Sequence, residues 1–398
     1  MSDFPTLHRQ EPAIQPNPGG SHPASSAPSL EAATTASALF SARRLRLARE
    51  WRSMTRAAVA SEAAVTSAAV SQFENGDARP APQTLLRLAG SLDFPVQFFA
   101  VGTAPSSRDP RSGDGPGDYG YFRSLRSTGV TERRRALALA QMVRDLADRL
   151  GESVRLPPVD IPRRPIPTDA GPDAPQACAV HVRAAWNLAR GPIPDVVSTL
   201  ERHGIVCARY HVGTHSVDAF SVPFPERPVI VLGDDKAKRD RARFSAAHEL
   251  GHLVMHEPQS AGSKIIEDQA NQFAAAFLMP AEDIRSELPS TAAWSDFLIL
   301  KRRWGASIGA LLMRARTLGS MQENTYVQAV RYMSMRGWRT SEPGDLGSGE
   351  APQLLALAAT AAARSGVTTN TLSCTGWPEP IIEELLKASS DPRPQLSL

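Results

Sequence analysis

Three histidines at intervals of four residues, in the stretch AAHELGHLVMH from Ala246 to His256, constrain this chain most, because only nine histidines occur in its 398 residues. In an α-helix, residues four apart lie one above another on the same face, about 6 Å apart along the axis. His248 and His252 can therefore aim their rings at a single ion. Tetrahedral zinc accepts imidazole nitrogen at about 2.0 Å, and a hydrolytic site needs three protein ligands plus an exchangeable water. Glu249 adjoins the first histidine and precedes the second by three, so its carboxylate can reach such a water and is the natural general base.

Two ligands leave one to be found. Downstream, IIEDQANQFAAAFLMP has Ile266, Ala270, Phe273, Ala274 and Phe277 at helical spacing, with Glu267 in the first full turn. Glu267 comes from a separate helix and would close the triangle from another side. Its rival is His256, whose Cα lies about 12 Å along the axis from that of His248, too far for both to reach one ion without strain. The three-histidine extension of metzincins also fails, since Met255 and Pro258 stand where it needs Gly and His. Asn271 can hold a ligand ring by a hydrogen bond. Asp268, Glu257 and His256 read as ordinary surface groups. Phe244, Ala247, Leu250, Gly251 and Val254 give the histidine helix an apolar side, and Gly251 lets a neighbour approach closely. The strand expected beside this site is PVIVL, residues 228–232, where an edge would align an extended peptide by backbone pairing.

The rest of the chain divides by composition. Residues 1–37 are rich in Pro, Ser, Ala and Thr and read as a disordered arm. Residues 38–100 carry apolar positions at helical spacing and form a helical domain, followed by a linker at 101–119. Residues 120–155 form a helical connector, whose helix at about 131–150 has one apolar stripe that would pack on a domain or pair with a second copy, making a homodimer. A Pro-rich linker at 156–175 precedes an α+β domain at 176–318, with strands at 205–210, 217–222 and 228–232, and a helical region at 319–398. The expected fold is multi-domain and mainly α with a small β-sheet. An apolar share of 42% is enough for a core in each domain, while a net charge of +3 is too mild to name a partner. Cys178, Cys207 and Cys374 are few and far apart, which argues against a disulfide framework and fits a reducing cytoplasm. No membrane span or secretory signal is legible, so a soluble cytoplasmic protein is expected.

Within the first helical domain, TRAAVASEAAVTSAAVSQFENG from Thr55 to Gly76 reads as helix, turn, helix, with Thr66 as the second N-cap. This stretch and its continuation SQFENGDARPAPQTLLRLAGSLDFPVQFF resemble Cro/C1-type (XRE) helix-turn-helix domains. The resemblance implies binding to double-stranded DNA, with Ser67, Ala68, Ser71 and Gln72 facing the groove and Arg56 and Asn75 at phosphates or the groove rim. Two features depart from that pattern. The turn Glu62-Ala63-Ala64-Val65 has no residue that enters positive φ freely. Among the base-facing side chains only Gln72 can bond adenine bidentately.

The run RFSAAHELGHLVMH followed by EDQANQFAAAFLMP resembles the ImmA/IrrE family of zinc metallopeptidases over residues 176–318. That resemblance implies a zincin-like fold, one Zn²⁺ per chain on His248, His252 and Glu267, and Glu249 as the catalytic acid/base. Tyr210, His211 and His215 are the candidates for an oxyanion stabiliser. Together the two resemblances imply a transcriptional regulator with zinc-dependent endopeptidase activity, whose protein substrate is a repressor or antitoxin-like protein. The alternatives are a DNA-binding regulator whose zinc domain senses a ligand and cleaves nothing, disfavoured because a sensor has no need of Glu249, and an interaction module without metal.

Overall fold

The computed structural model describes residues 29–100, 129–210, 219–233, 238–257, 263–368 and 376–386. The arm up to residue 28, the 101–119 linker, the start of the connector, and the candidates His211 and His215 lie outside the described residues.

A three-stranded sheet of β1 (Val206–Tyr210), β2 (Ala219–Val222) and β3 (Val229–Gly233), in the order β1-β3-β2, separates two hydrophobic cores. β3 runs parallel to β1, with Val206 opposite Val229, and antiparallel to β2, with Ala219 opposite Leu232. Alternate side chains go to opposite cores: Val206, Phe220, Val229 and Val231 to one, Cys207, Ala219, Ile230 and Leu232 to the other. Burial on both faces is why VIVL is continuously apolar rather than alternating. It also corrects the expectation that residues 228–232 form an edge: among the described strands β3 is central, between β1 and β2.

One core joins the first helical domain to the sheet. That domain comprises α1 (Leu30–Ala38), α2 (Ala42–Trp51), α3 (Arg56–Glu62), α4 (Ser67–Asn75), α5 (Pro82–Leu92) and a 3-10 turn at Val96–Phe99. α1 corrects the reading of a disordered arm reaching residue 37. Ser29 Oγ accepts from Ala32 N at 3.2 Å as its N-cap, and Ala33 and Ala36 are buried on α5 and the 3-10 turn. Alanines one turn apart make a stripe too small to register as hydrophobic periodicity, yet they permit close helix packing.

α6 (Val130–Gly151) carries this core to the sheet. It packs on α2, on β1 and β3, and on α15 (Leu354–Arg364) near the C-terminus. Six consecutive residues, Ala138 to Val143, are buried, so the helix is covered around much of its circumference rather than along one stripe. Arg144 is buried too, its guanidinium 4.6 Å from the Phe224 ring and 2.8 Å from Asp145, which also holds Arg43 of α2 at 2.7 Å. The stripe that suggested pairing with a second copy is thus covered by the chain itself.

The other core holds α7 (Asp173–Ala185), α8 (Val196–Arg202), α9 (Arg239–Met255), α10 (Lys264–Leu278), α11 (Ala281–Ile284), α12 (Trp294–Trp304), α13 (Ile308–Thr317) and α14 (Glu323–Met335). The Pro-rich residues 156–167 are not a loose linker but a strap laid on this domain. Asp160 N donates to His203 O, and Arg164 N and Ile166 N donate to Val254 O and Met255 O, satisfying the last carbonyls of α9. Proline suits such a segment because it has no N–H of its own to satisfy.

The C-terminal region is divided between the cores, α14 in the second and α15 with α16 (Glu379–Leu386) in the first. Between them, three carboxylates, those of Glu350 and Glu201 fully buried, pin the crossing chain. Glu342 pairs with Lys301 at 2.7 Å and caps α13 through Gly309 N at 2.9 Å. Glu350 pairs with Arg243 of α9 and accepts from Val196 N at 2.6 Å. Glu201 accepts from Gln353 N at the start of α15, at 3.0 Å. Among the described residues no helix is long and apolar enough to cross a membrane.

Candidate metal centre

α9 starts after Lys238, with Asp240 in its first turn held by Lys301 at 2.8 Å, and ends where His256 turns to extended backbone. α10 is capped by Ser263, whose Oγ accepts from Ile266 N at 3.2 Å, which places Glu267 in the first turn. The two helices pack tightly at Gly251, where a Cβ would lie 3.0 Å from Cδ1 of the fully buried Phe273.

This contact brings three of the expected residues together. The Nε2 atoms of His248 and His252 are 3.0 Å apart, and the Glu267 carboxylate is 3.4 Å from the first and 3.6 Å from the second. Ligands at about 2.0–2.1 Å from a tetrahedral ion are separated by about 3.3 Å, so the three atoms span one face of such a coordination sphere. They are the one group of potential metal-holding side chains found among the described residues. The donor set, two imidazoles and a carboxylate, is one that zinc accepts. The fourth direction is left for water or substrate.

Both histidines of the triangle are held from behind. Asn271 Oδ1 is 2.9 Å from His248 Nδ1. His252 Nδ1 is 2.9 Å from Nδ1 of His256, whose Nε2 is 3.1 Å from Gln269 Oε1. His256 is 2% exposed, which corrects its reading as a surface group: it is no member of the triangle, yet it backs a residue that is. Glu257 and Asp268 are exposed as expected.

Glu249 is 4% exposed, and Ser221 of β2 donates from Oγ to its Oε2 at 2.6 Å, with a second hydrogen bond from the Ser221 backbone. Burial pushes the Glu249 carboxyl up to about 7, against the opposing pull of His248 and Ser221. Burial lowers His252 well below the ordinary imidazole value, helped by His248 and His256, and lowers His256 to about 4. Burial also opposes charge on His248, but Glu267, Glu249 and Asn271 outweigh it and raise its pKa. The cluster therefore gathers groups with unlike proton affinities in one small space, a pattern that is common at functional sites. Ser221 and Gln269 escaped sequence reading. The available signal was a lone polar residue in an otherwise apolar strand, AFSV, and a glutamine on the apolar side of α10.

On the first domain, Ser67, Ala68, Gln72 and Asn75 are exposed on α4 and Ser71 is half-buried. Thr66 caps α4, its Oγ1 accepting from Ala69 N at 3.1 Å. Arg56 is exposed but not free: its Nε donates to Glu74 Oε2 at 2.8 Å, and buried Glu74 also pairs with Arg49 of α2. Ala64 in the turn adopts φ +51°, the left-handed conformation that glycine would take without strain.

The arrangement defines a class: a helix-turn-helix protein with a peptidase-like domain of the His-Glu-x-x-His kind. Residues 42–97 match the family model described as helix-turn-helix domain, and residues 200–316 match the one described as IrrE N-terminal-like domain, a peptidase family. The second match is to the family that the two motifs of residues 243–256 and 267–280 resemble. No curated protein matches the chain.

Proposed function

We propose that this protein is a DNA-binding transcriptional regulator whose IrrE-like domain is a zinc-dependent endopeptidase acting on a repressor or antitoxin-like protein. The observation that carries the reading is the His248–His252–Glu267 triangle beside a buried glutamate held by Ser221. One zinc ion per chain, bound there, would acidify a water molecule and polarise a substrate carbonyl. Glu249 takes up a proton at its carboxylate and returns it to the leaving amine, a task suited to a group with a pKa of about 7. Ser221 keeps that carboxylate in one orientation. β2 packs against α9 and so sets Ser221 beside Glu249.

The α4 surface supports DNA binding. Gln72 is the side chain able to read adenine, Ser67, Ala68 and Ser71 approach the groove, and Arg56 and Asn75 lie at its rim. Arg56 reaches phosphate with its terminal nitrogens while Glu74 holds its Nε.

Purified protein should contain about one zinc per chain by elemental analysis, as a tetrahedral site of this donor set implies. Glu249→Gln should keep that zinc and lose cleavage of the substrate, tried first on repressor or antitoxin-like proteins encoded nearby. Cleavage undiminished in the variant removes Glu249 from its role. A parent protein that binds zinc and DNA but cleaves no candidate favours the sensor reading instead.

A further inference from the structure

The hydrogen bonds behind His252 form a chain whose direction is fixed from its far end. The carbonyl oxygen of Pro167, on the strap, can only accept, so the group facing it at 3.0 Å must be the NH₂ of Gln269. Gln269 Oε1 then faces His256 Nε2, which must carry a proton to make the 3.1 Å bond. A neutral imidazole protonated at Nε2 presents a lone pair at Nδ1, and the partner there, at 2.9 Å, is His252 Nδ1. His252 must donate that bond. Its lone pair is consequently at Nε2, the atom 3.0 Å from His248 Nε2 and 3.6 Å from Glu267.

We infer that His256 and Gln269 are positioning residues that, anchored on the Pro167 carbonyl, fix the tautomer and ring orientation of His252 and so aim its Nε2 lone pair into the metal site. The inference rests on the zinc-site reading above. Three separate pieces of the fold cooperate in it. The strap supplies the acceptor, α10 supplies the amide, and the exit of α9 supplies the intermediate ring. His256 can reach back toward His252 because its own backbone has left the helix, at φ −112° and ψ 149°. All three side chains are buried, at 2% exposure for each histidine and 4% for Gln269, so water does not compete for the bonds. A ligand already in its binding tautomer spares the metal the work of reorganising it, and partners of this kind are worth 10–100-fold in metal affinity.

A purely structural role for these groups would leave zinc binding unchanged, so zinc affinity is the readout, measured on the full chain by competition with a chromogenic chelator. His256→Phe fills the space without an acceptor and should weaken zinc binding about 10–100-fold. His256→Asn puts Oδ1 where Nδ1 was, restores the acceptor, and should stay within about threefold of the parent. Gln269→Leu keeps both imidazoles and removes the link to Pro167. It should also weaken binding, and it carries the test if His256→Phe fails to fold. Nitrogen-15 spectra of histidine-labelled, zinc-free protein should show His256 protonated at Nε2 and His252 at Nδ1. Unchanged affinity in both His256→Phe and Gln269→Leu, or the opposite tautomers, overturns the inference. A parent that binds no zinc, or a His252→Ala variant that keeps it, overturns the metal-site reading itself. That outcome is distinct from a parent that binds through His252 yet tolerates loss of His256.

Discussion

Replacing Gly251 with alanine puts a methyl group where α9 and α10, the helices that carry His248, His252 and Glu267, pack tightly together. The new Cβ would lie 3.0, 3.2 and 3.3 Å from Cδ1, Cγ and Cβ of Phe273. Ordinary contacts between carbons begin near 3.5 Å, so Phe273 or the whole of α10 must retreat by several tenths of an ångström. Phe273 cannot simply rotate away, because it is fully buried and its ring stacks on Phe277 at 5.8 Å. Overpacking of this kind destabilises by about 1–3 kcal/mol. Alanine is also the better helix former, by about 1 kcal/mol in a helix interior, and that gain offsets part of the loss. Gly90 in α5 isolates the gain, since nothing lies within 4 Å of a Cβ there. Gly90→Ala should therefore stabilise its domain by about 0.4–1 kcal/mol, whereas Gly251→Ala should leave stability unchanged or lower it by about 2 kcal/mol. Urea unfolding followed by the fluorescence of Trp186 and Trp304, both in the second core, reads the latter. The stronger consequence concerns the site. Glu267 and Asn271 ride on α10, so its displacement pulls the Glu267 carboxylate and the partner of His248 away from the histidines, and on the proposed zinc-site reading zinc affinity should fall about tenfold or more. If Gly251→Ala stabilises as much as Gly90→Ala and binds zinc like the parent, the packing argument is wrong.

Two further changes test features away from the ligands. Ala64→Gly should stabilise the helix-turn-helix domain by about 1 kcal/mol, because Ala64 is exposed and its φ of +51° is strained for a residue with a Cβ; a lower denaturation midpoint contradicts this. Burial pushes the Glu201 carboxyl up to about 8, against the hydrogen bonds from Gln353 and Leu354. The unfolded carboxyl has already lost its proton by pH 5 while the folded one keeps it, so the folded state binds more protons and stability falls from about pH 5 to pH 8. Glu201→Gln retains an acceptor for the backbone and should flatten part of that decline in pH-dependent urea midpoints; an unchanged slope refutes the assignment.

The shared face of His248 and His252 was legible because helix periodicity is a local property, and a spacing of four fixes that face before any tertiary contact forms, whereas Glu267 joins them through a contact between two helices. His256 was misjudged because its position depends on where the helix stops. Pro258 held the clue, since the residue before a proline avoids helical backbone, which limits α9 to about Glu257 at the furthest. The place of β3 in the sheet is non-local, although four successive apolar residues favoured a strand covered on both faces. Ala138 to Val143 likewise lacks the alternation of a helix with a solvent side, and the expectation of one stripe passed over it. The strap was hidden by its composition. Prolines mark where regular structure ends, but they do not say that the neighbouring N–H groups close the end of α9.

The first core also sets an order of events during synthesis. It draws on Ala33 to Leu150, on one face of the sheet, and on Leu354 to Leu385, segments separated by more than half of the chain. On the ribosome, α6 emerges early with its apolar circumference only partly covered by α2, and waits for the sheet and then for α15, on which α16 packs. Trp377 reaches the ring of Phe98 at 6.3 Å, and the Gly376 backbone sits so close to Phe98 that no Cβ would fit. Closure of the first core therefore cannot precede synthesis of residues 354–385. A chain stalled or cut before residue 354 would present an open apolar seam to chaperones and proteases, even with α9 and α10 already in place.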